Sequence, residues 1–227
     1  MPEAHLSKEP PFKRGETWYN GEAIPATLPT GTFPGGWGLE GQQFIWQDSQ
    51  TDTGNPFNGN NAGGYGTGFP VVTRVVRNNA AYNIKPGQLV LIDGTSDYNG
   101  NTIVPGQGAS GITATEAAHC FPADEYLPPA GVPPGDLFYV VVSGPCMVKT
   151  AASMTAAIAI GDKLVSATST AGTTDGNEGA VIKQDLTAAT TGPETTIANQ
   201  IQNAVGRALS ALTSGQTATN LLIAVGW

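Results

Sequence analysis

The sequence predicts an all-β protein, a barrel or sandwich of short strands preceded by a long extended arm. Three observations lead there. After residue 70, short runs of β-branched and aromatic residues recur between Gly, Pro, Asn and Asp punctuation. A turn-then-strand phrase appears as Pro86-Gly87-Gln88-Leu89-Val90, Pro134-Gly135-Asp136-Leu137-Phe138 and Ile160-Gly161-Asp162-Lys163-Leu164-Val165. Its unequal spacing marks turns entering strands and not a solenoid repeat. Residues 1–70, by contrast, hold 10 of the 17 aromatics together with 13 Gly and 8 Pro, and show no helix or strand period.

Such a segment cannot build a packed core of its own, because too few residues sit in regular backbone to offset the entropy of ordering them. It is expected to be extended. Disordered tails are normally poor in aromatics, yet this one carries Phe12, Trp18, Tyr19, Phe33, Trp37, Phe44, Trp46, Phe57, Tyr65 and Phe69. Each buries a large apolar area when it meets a partner, so the nine from Trp18 to Phe69 are the candidate interface residues.

The folded domain is expected to span 71–227. Its first strand is Phe69-Pro70-Val71-Val72-Thr73-Arg74-Val75-Val76, ended by the turn pair Asn78-Asn79. Gln88-Leu89-Val90-Leu91-Ile92 is the second, closed by Asp93-Gly94, and residues 94–111 read as a loop. Thr113 and Glu116 have capping-box spacing, while the alternation from Ile112 to Ala118 also permits a strand. Asp136-Leu137-Phe138-Tyr139-Val140-Val141-Val142 is the clearest strand, apolar enough for burial on both faces and stopped by Gly144-Pro145. Further strands follow at Gly161 to Val165, Ala180-Val181-Ile182-Lys183 and Leu221 to Val225. Between the last two, Ile197, Ala198, Ile201, Ala204 and Val205 have helical spacing before a C-cap at Gly206. Ile201, Asn203, Val205, Arg207 and Leu209 read equally well as an alternating edge strand.

Charged residues make up 12% of the chain, against about 25% in typical globular proteins. A surface this bland suits packing against other chains. The net charge is −8, and acidic residues are in excess in 1–70, 71–150 and 151–227 alike, so no phosphate-tracking surface and no nucleic-acid partner is expected. Met1 to Arg14 has no apolar signal-peptide core, and no run of 18 apolar residues occurs. No membrane partner is therefore expected, and the protein is expected to be made in a cytoplasm or assembled there into a particle. Two cysteines, Cys120 and Cys146, are too few for a disulfide framework and are expected as half-buried thiols.

Catalytic groups are sparse, and the chain is not expected to be an enzyme. His119 adjoins Cys120, but neighbours on a strand point to opposite faces, and no orienting Asn or Asp is implied. A zinc site from His119, Cys120 and Cys146 lacks a fourth ligand. Gly106-Gln107-Gly108-Ala109-Ser110-Gly111 matches a dinucleotide fingerprint in letters only, since a loop and not a strand precedes it. The oxygens of Asp93 to Gly100 do not have the spacing of a calcium loop and are explained by turn chemistry. No metal and no cofactor are expected. A hydrolase would need an acid and base pair such as Asp124 with Glu125 or Asp136, which nothing in the spacing places together. Trp18, Trp37 and Trp46 suggest a sugar-stacking platform as an alternative, a carbohydrate- or receptor-binding module of a virion fibre or spike; lying on loops, they fit interface burial better.

The folded part resembles the capsid decoration (cement) proteins of tailed bacteriophages. The resemblance rests on Gly87-Gln88-Leu89-Val90, Pro134 to Val140, Gly161-Asp162-Lys163-Leu164-Val165, and Val205-Gly206-Arg207-Ala208-Leu209 with Leu222-Ile223-Ala224-Val225. It implies a β-barrel or β-tulip-like decoration domain over 71–227 and a homotrimer at local three-fold positions. The implied partners are the major capsid protein and other copies of the chain, on the capsid exterior of the virion. The arm, which the resemblance does not cover, is expected to run from about Trp18 to Phe69 across the seams between capsomers or over neighbouring copies.

Overall fold

The computed structural model describes residues 10, 12–18, 39–47, 70–78, 80, 82–91, 120–151, 157–167, 179–184, 204–215 and 220–226. Among these residues nine strands form: β1 (Gln43–Gln47), β2 (Pro70–Arg77), β3 (Leu89–Leu91), β4 (Cys120–Pro122), β5 (Leu137–Lys149), β6 (Lys163–Ser166), β7 (Val181–Lys183), β8 (Ala204–Ala208) and β9 (Asn220–Val225). Seven pair antiparallel in the order β1-β2-β5-β9-β8-β6-β7, and β3 with β4 makes a separate two-stranded sheet. No helix occurs among the described residues, as the mainly-β prediction requires.

β5 organises the molecule. Its 13 residues run through Gly144-Pro145, where the sequence reading ends the strand. Proline removes a ladder donor and normally stops a central strand. Here the loss is tolerated because β5 changes partner at that point: Leu137 to Ser143 pair with β2, and Gly144 to Lys149 with β9. The pairing with β2 is bulged at Val72/Thr73, and Gly144 has φ of 102°, the left-handed region that only glycine enters freely. A Cβ there would also sit 2.5 Å from the Pro70 carbonyl oxygen. The result is a corner, at which one strand passes from one sheet segment to the next.

The expected barrel is not a closed ladder among the described residues. From the second half of β5 the strands run β9-β8-β6-β7, and a single parallel bridge, Thr150 to Val181, brings β7 back to the chain just past β5. The Ala151 N–H donates to the Val181 carbonyl at 3.1 Å across it. Inside this curl lies the largest apolar cluster, with Val141, Cys146, Val148, Leu164, Val205, Leu221 and Ile223 buried together with Leu89 and Leu91. A second cluster packs Val76, Val90, Phe138 and Val140. Burial of each such side chain contributes about 1.5–3 kcal/mol.

One open reading resolves. Ala204–Ala208 is a strand, and Gly206 lies within it instead of capping a helix, because β9 approaches so closely that a Cβ would collide with the Ala224 carbonyl oxygen. Cys120–Pro122 is a strand, while residues 113–119 lie outside the described residues, as do the loop glycines 106–111, the loop 93–100 and His119.

Candidate assembly interface

An aromatic-rich segment that cannot form its own core must lay its rings on something else. The described parts of 1–70 lay them on the chain's own sheet. Gln43–Gln47, part of the segment read as aperiodic, is strand β1, paired antiparallel along β2 from Gln43–Arg74 to Gln47–Pro70. Period-two geometry then sends Phe44 and Trp46 to one face and Ile45 to the other. Phe44 is buried, Trp46 half-buried, and Ile45 75% exposed.

The two inward rings converge on Tyr139 of β5. Phe44 and Trp46 meet it edge-on with centroids 5.9 and 5.6 Å away. Phe12 stacks on it at 4.4 Å, and Trp18 stands edge-on to Phe12 at 5.9 Å. Aromatic pairs in these geometries contribute about 0.5–1.5 kcal/mol each beyond area burial. Polar ends are matched as well: the Tyr139 hydroxyl donates to the Phe12 carbonyl at 2.9 Å, and the Trp46 indole N–H to Thr73 Oγ1 at 2.8 Å. Burial pushes the Tyr139 hydroxyl pKa above its ordinary value. Trp18 closes the cluster through paired backbone hydrogen bonds with Leu137, both 2.9 Å.

Two buried ion pairs pin the same segment. Arg14 donates from Nη2 and Nε to Asp124 Oδ1 at 2.8 and 3.1 Å, and Gly15 N–H donates to Oδ2 at 3.1 Å. The guanidinium also lies 3.8 Å from Glu125 and 4.6 Å from the centre of the Tyr126 ring. Burial works against its charge, but Asp124, by attraction and hydrogen bonding, and then Glu125 hold it protonated with a raised pKa. Arg77, 1% exposed, donates from Nη2 and Nε to Glu40 Oε1 at 2.5 and 3.0 Å and from Nη1 to the Gly135 carbonyl at 2.9 Å. Each pair joins a residue of 1–70 to one of 71–227.

Among the nine candidate interface residues, Phe44 is therefore buried within the chain itself, and Trp46 is partly so. Trp18 is 39% exposed at the rim of the cluster. Tyr19, Phe33, Trp37, Phe57, Tyr65 and Phe69 lie outside the described residues. Ile45 was not a candidate, although its place between Phe44 and Trp46 is the period-two signal that exposes it.

No family model matches the chain, and no curated protein matches it. Among solved structures, the N base of head fiber gp8.5 of bacteriophage phi29 superposes with a TM-score of 0.32 and 15% identity, covering 69% of this chain and 94% of that one. A superposition at that score assigns neither fold family nor role.

Among the described residues, the carboxylates and thiols weighed for chemistry are all buried. Asp124 and Glu125 are brought together about Arg14, and Glu125 Oε2 accepts the Met147 N–H at 2.5 Å. Asp136 is buried apart from them, its carbonyl accepting the Asn78 N–H. Cys120 and Cys146 are free thiols, buried and not half-buried, in one apolar cluster. Burial pushes the Cys120 thiol up to about 12 and raises Cys146 as well, so both remain protonated and unreactive near neutrality.

Proposed function

We propose that the chain is a structural protein of a phage virion that binds the outer surface of the capsid and cements neighbouring capsomers. The observation that carries this reading is the anchoring of the N-terminal segment. Residues 12–18 and 39–47 are fastened to the sheet by Arg14–Asp124, by Arg77–Glu40 and by the stack around Tyr139. The stretches 19–38 and 48–69 begin or end at those fastened points and carry Tyr19, Phe33, Trp37, Phe57, Tyr65 and Phe69. Aromatics tethered near a rigid sheet lose less freedom on binding than those of a free tail.

The partners in this reading are the major capsid protein and other copies of the chain, arranged as a trimer, with no part for a cofactor, nucleic acid, membrane or catalysis. A segment laid across a seam buries apolar area only when both sides of the seam are present, so it stabilises the assembled state by mass action. Trp18, at the rim of the Tyr139 cluster, leaves apolar surface exposed on one face of the sheet, and Ile45 of the edge strand β1 on the opposite face.

Sedimentation with expanded heads lacking decoration tests this. The full chain is expected to co-sediment saturably, and Trp18→Ala to weaken binding about tenfold with an unchanged far-UV circular dichroism spectrum. A chain that ignores heads while its tryptophan fluorescence responds to oligosaccharides would belong to the glycan-binding class, and the proposal would fall. Deletion of 1–70 is the poorer test, because it also removes β1 and the buried Phe12 and Phe44.

A further inference from the structure

On the far side of the β5 corner from Tyr139, a groove of about 430 Å³ opens at the surface. Its walls are almost wholly apolar and include Pro145, Ile160, Leu209 and Ala224. Ile160 is 70% and Leu209 40% exposed, so two of the large hydrophobics left in solvent meet at one concavity. That is not how isolated surface hydrophobics are distributed.

The rim carries the opposite of the molecule's overall charge. Arg207 lines the groove and stands directly across the β6–β8 ladder from Lys163, both of them exposed. Like charges in directly opposed positions destabilise an antiparallel pair. Nothing acidic among the described residues relieves it: Asp162 is engaged by Lys183 at 2.8 Å and by the Ala159 N–H at 2.8 Å, and Arg207 reaches only the Gly161 carbonyl at 3.4 Å. Within a chain of net charge −8, two cations that no acidic side chain among the described residues pairs, set beside an apolar groove, form a complementary surface for an anion with an apolar body.

We propose that this groove docks an extended acidic segment of another protein. An apolar side chain of that segment enters among Pro145, Ile160 and Leu209, and a neighbouring carboxylate pairs with Arg207 and Lys163. A second copy fits poorly, since a two-fold contact centred on the groove would set Arg207 against its own counterpart. An anionic membrane fits poorly too, because two cations on a protein of net charge −8 fall short of the basic clusters that hold such surfaces. The site stands apart from the aromatic surface around Trp18 and does not depend on the virion reading.

Fluorescence anisotropy with two labelled hexapeptides decides it, one with Leu-Phe flanked by pairs of Glu and the other with Leu-Phe flanked by pairs of Lys. The full chain is expected to bind the acidic peptide and not the basic one, the reverse of what its net charge alone would select. Binding should weaken as salt is raised. Arg207→Glu is expected to weaken it by about tenfold or more, and Ile160→Asp similarly, both at exposed positions where folding is not at stake. Equal binding of the two peptides, or an acidic peptide indifferent to Arg207→Glu, would overturn the proposal. So would self-association abolished by Arg207→Glu, or uptake on phosphatidylserine vesicles without peptide binding.

Discussion

Asp124 lies wholly buried with four donors on its carboxylate, two from Arg14 and the backbone N–H groups of Gly15 and Tyr126. A pair of this kind adds little over an apolar replacement of both partners, but removal of one leaves a charge uncompensated in the interior. Arg14→Met is therefore expected to destabilise the fold by about 3–5 kcal/mol, read from the urea midpoint, and the double variant Arg14→Met/Asp124→Leu by less than the single. Cys120 has a pH signature. Its folded pKa of about 12 lies above its ordinary value of 9.0, so the folded state keeps a proton that the unfolded chain releases. The stability tied to that proton is full below pH 9.0 and declines as the pH rises towards about 12. Urea midpoints collected across that interval should fall for the native chain and fall less for Cys120→Ala.

At the level of elements, strands bounded by local punctuation were legible in the amino-acid sequence, and strands defined by a distant partner were not. β2, β3, β6, β7 and β9 are short apolar or β-branched runs set off by turn residues, so short-range chemistry suffices to find them. β1 is hidden because Ile45 interrupts the polar side of the alternation and glycines surround it; only the spacing of Phe44 and Trp46 betrays it. β5 continues past Pro145 because β9 takes over from β2, an exchange with no local sign. The anchoring contacts were invisible for the same reason, Arg14 being separated from Asp124 by 110 residues. The exposed groove beside the corner likewise draws its walls from β2, β5, β8 and β9 and the turn before β6. Gly206 offers a test of how tightly β8 and β9 are joined. In Gly206→Ala the new methyl meets the Ala224 carbonyl, which as backbone cannot step aside. The expected loss is about 1–3 kcal/mol, seen as a melting temperature lowered by about 2–4 °C for each kcal/mol.

For the whole molecule, the ion pairs and the aromatic stack make the described N-terminal stretches and the strands that follow them one cooperative body. Heat is expected to unfold both together. Tryptophan emission, to which Trp18 against Phe12 and Trp46 against Tyr139 contribute, and far-UV circular dichroism, which reports the strands, should trace coincident transitions. An earlier fluorescence transition would mean that the N-terminal stretches let go first. The same contacts set a timetable on the ribosome. Phe12 meets Tyr139, 127 residues later, and Arg14 waits for Asp124. These side chains thus remain without their docking surface until more than a hundred further residues have been synthesised, and the nascent protein depends for that interval on solvent or a chaperone to keep them apart.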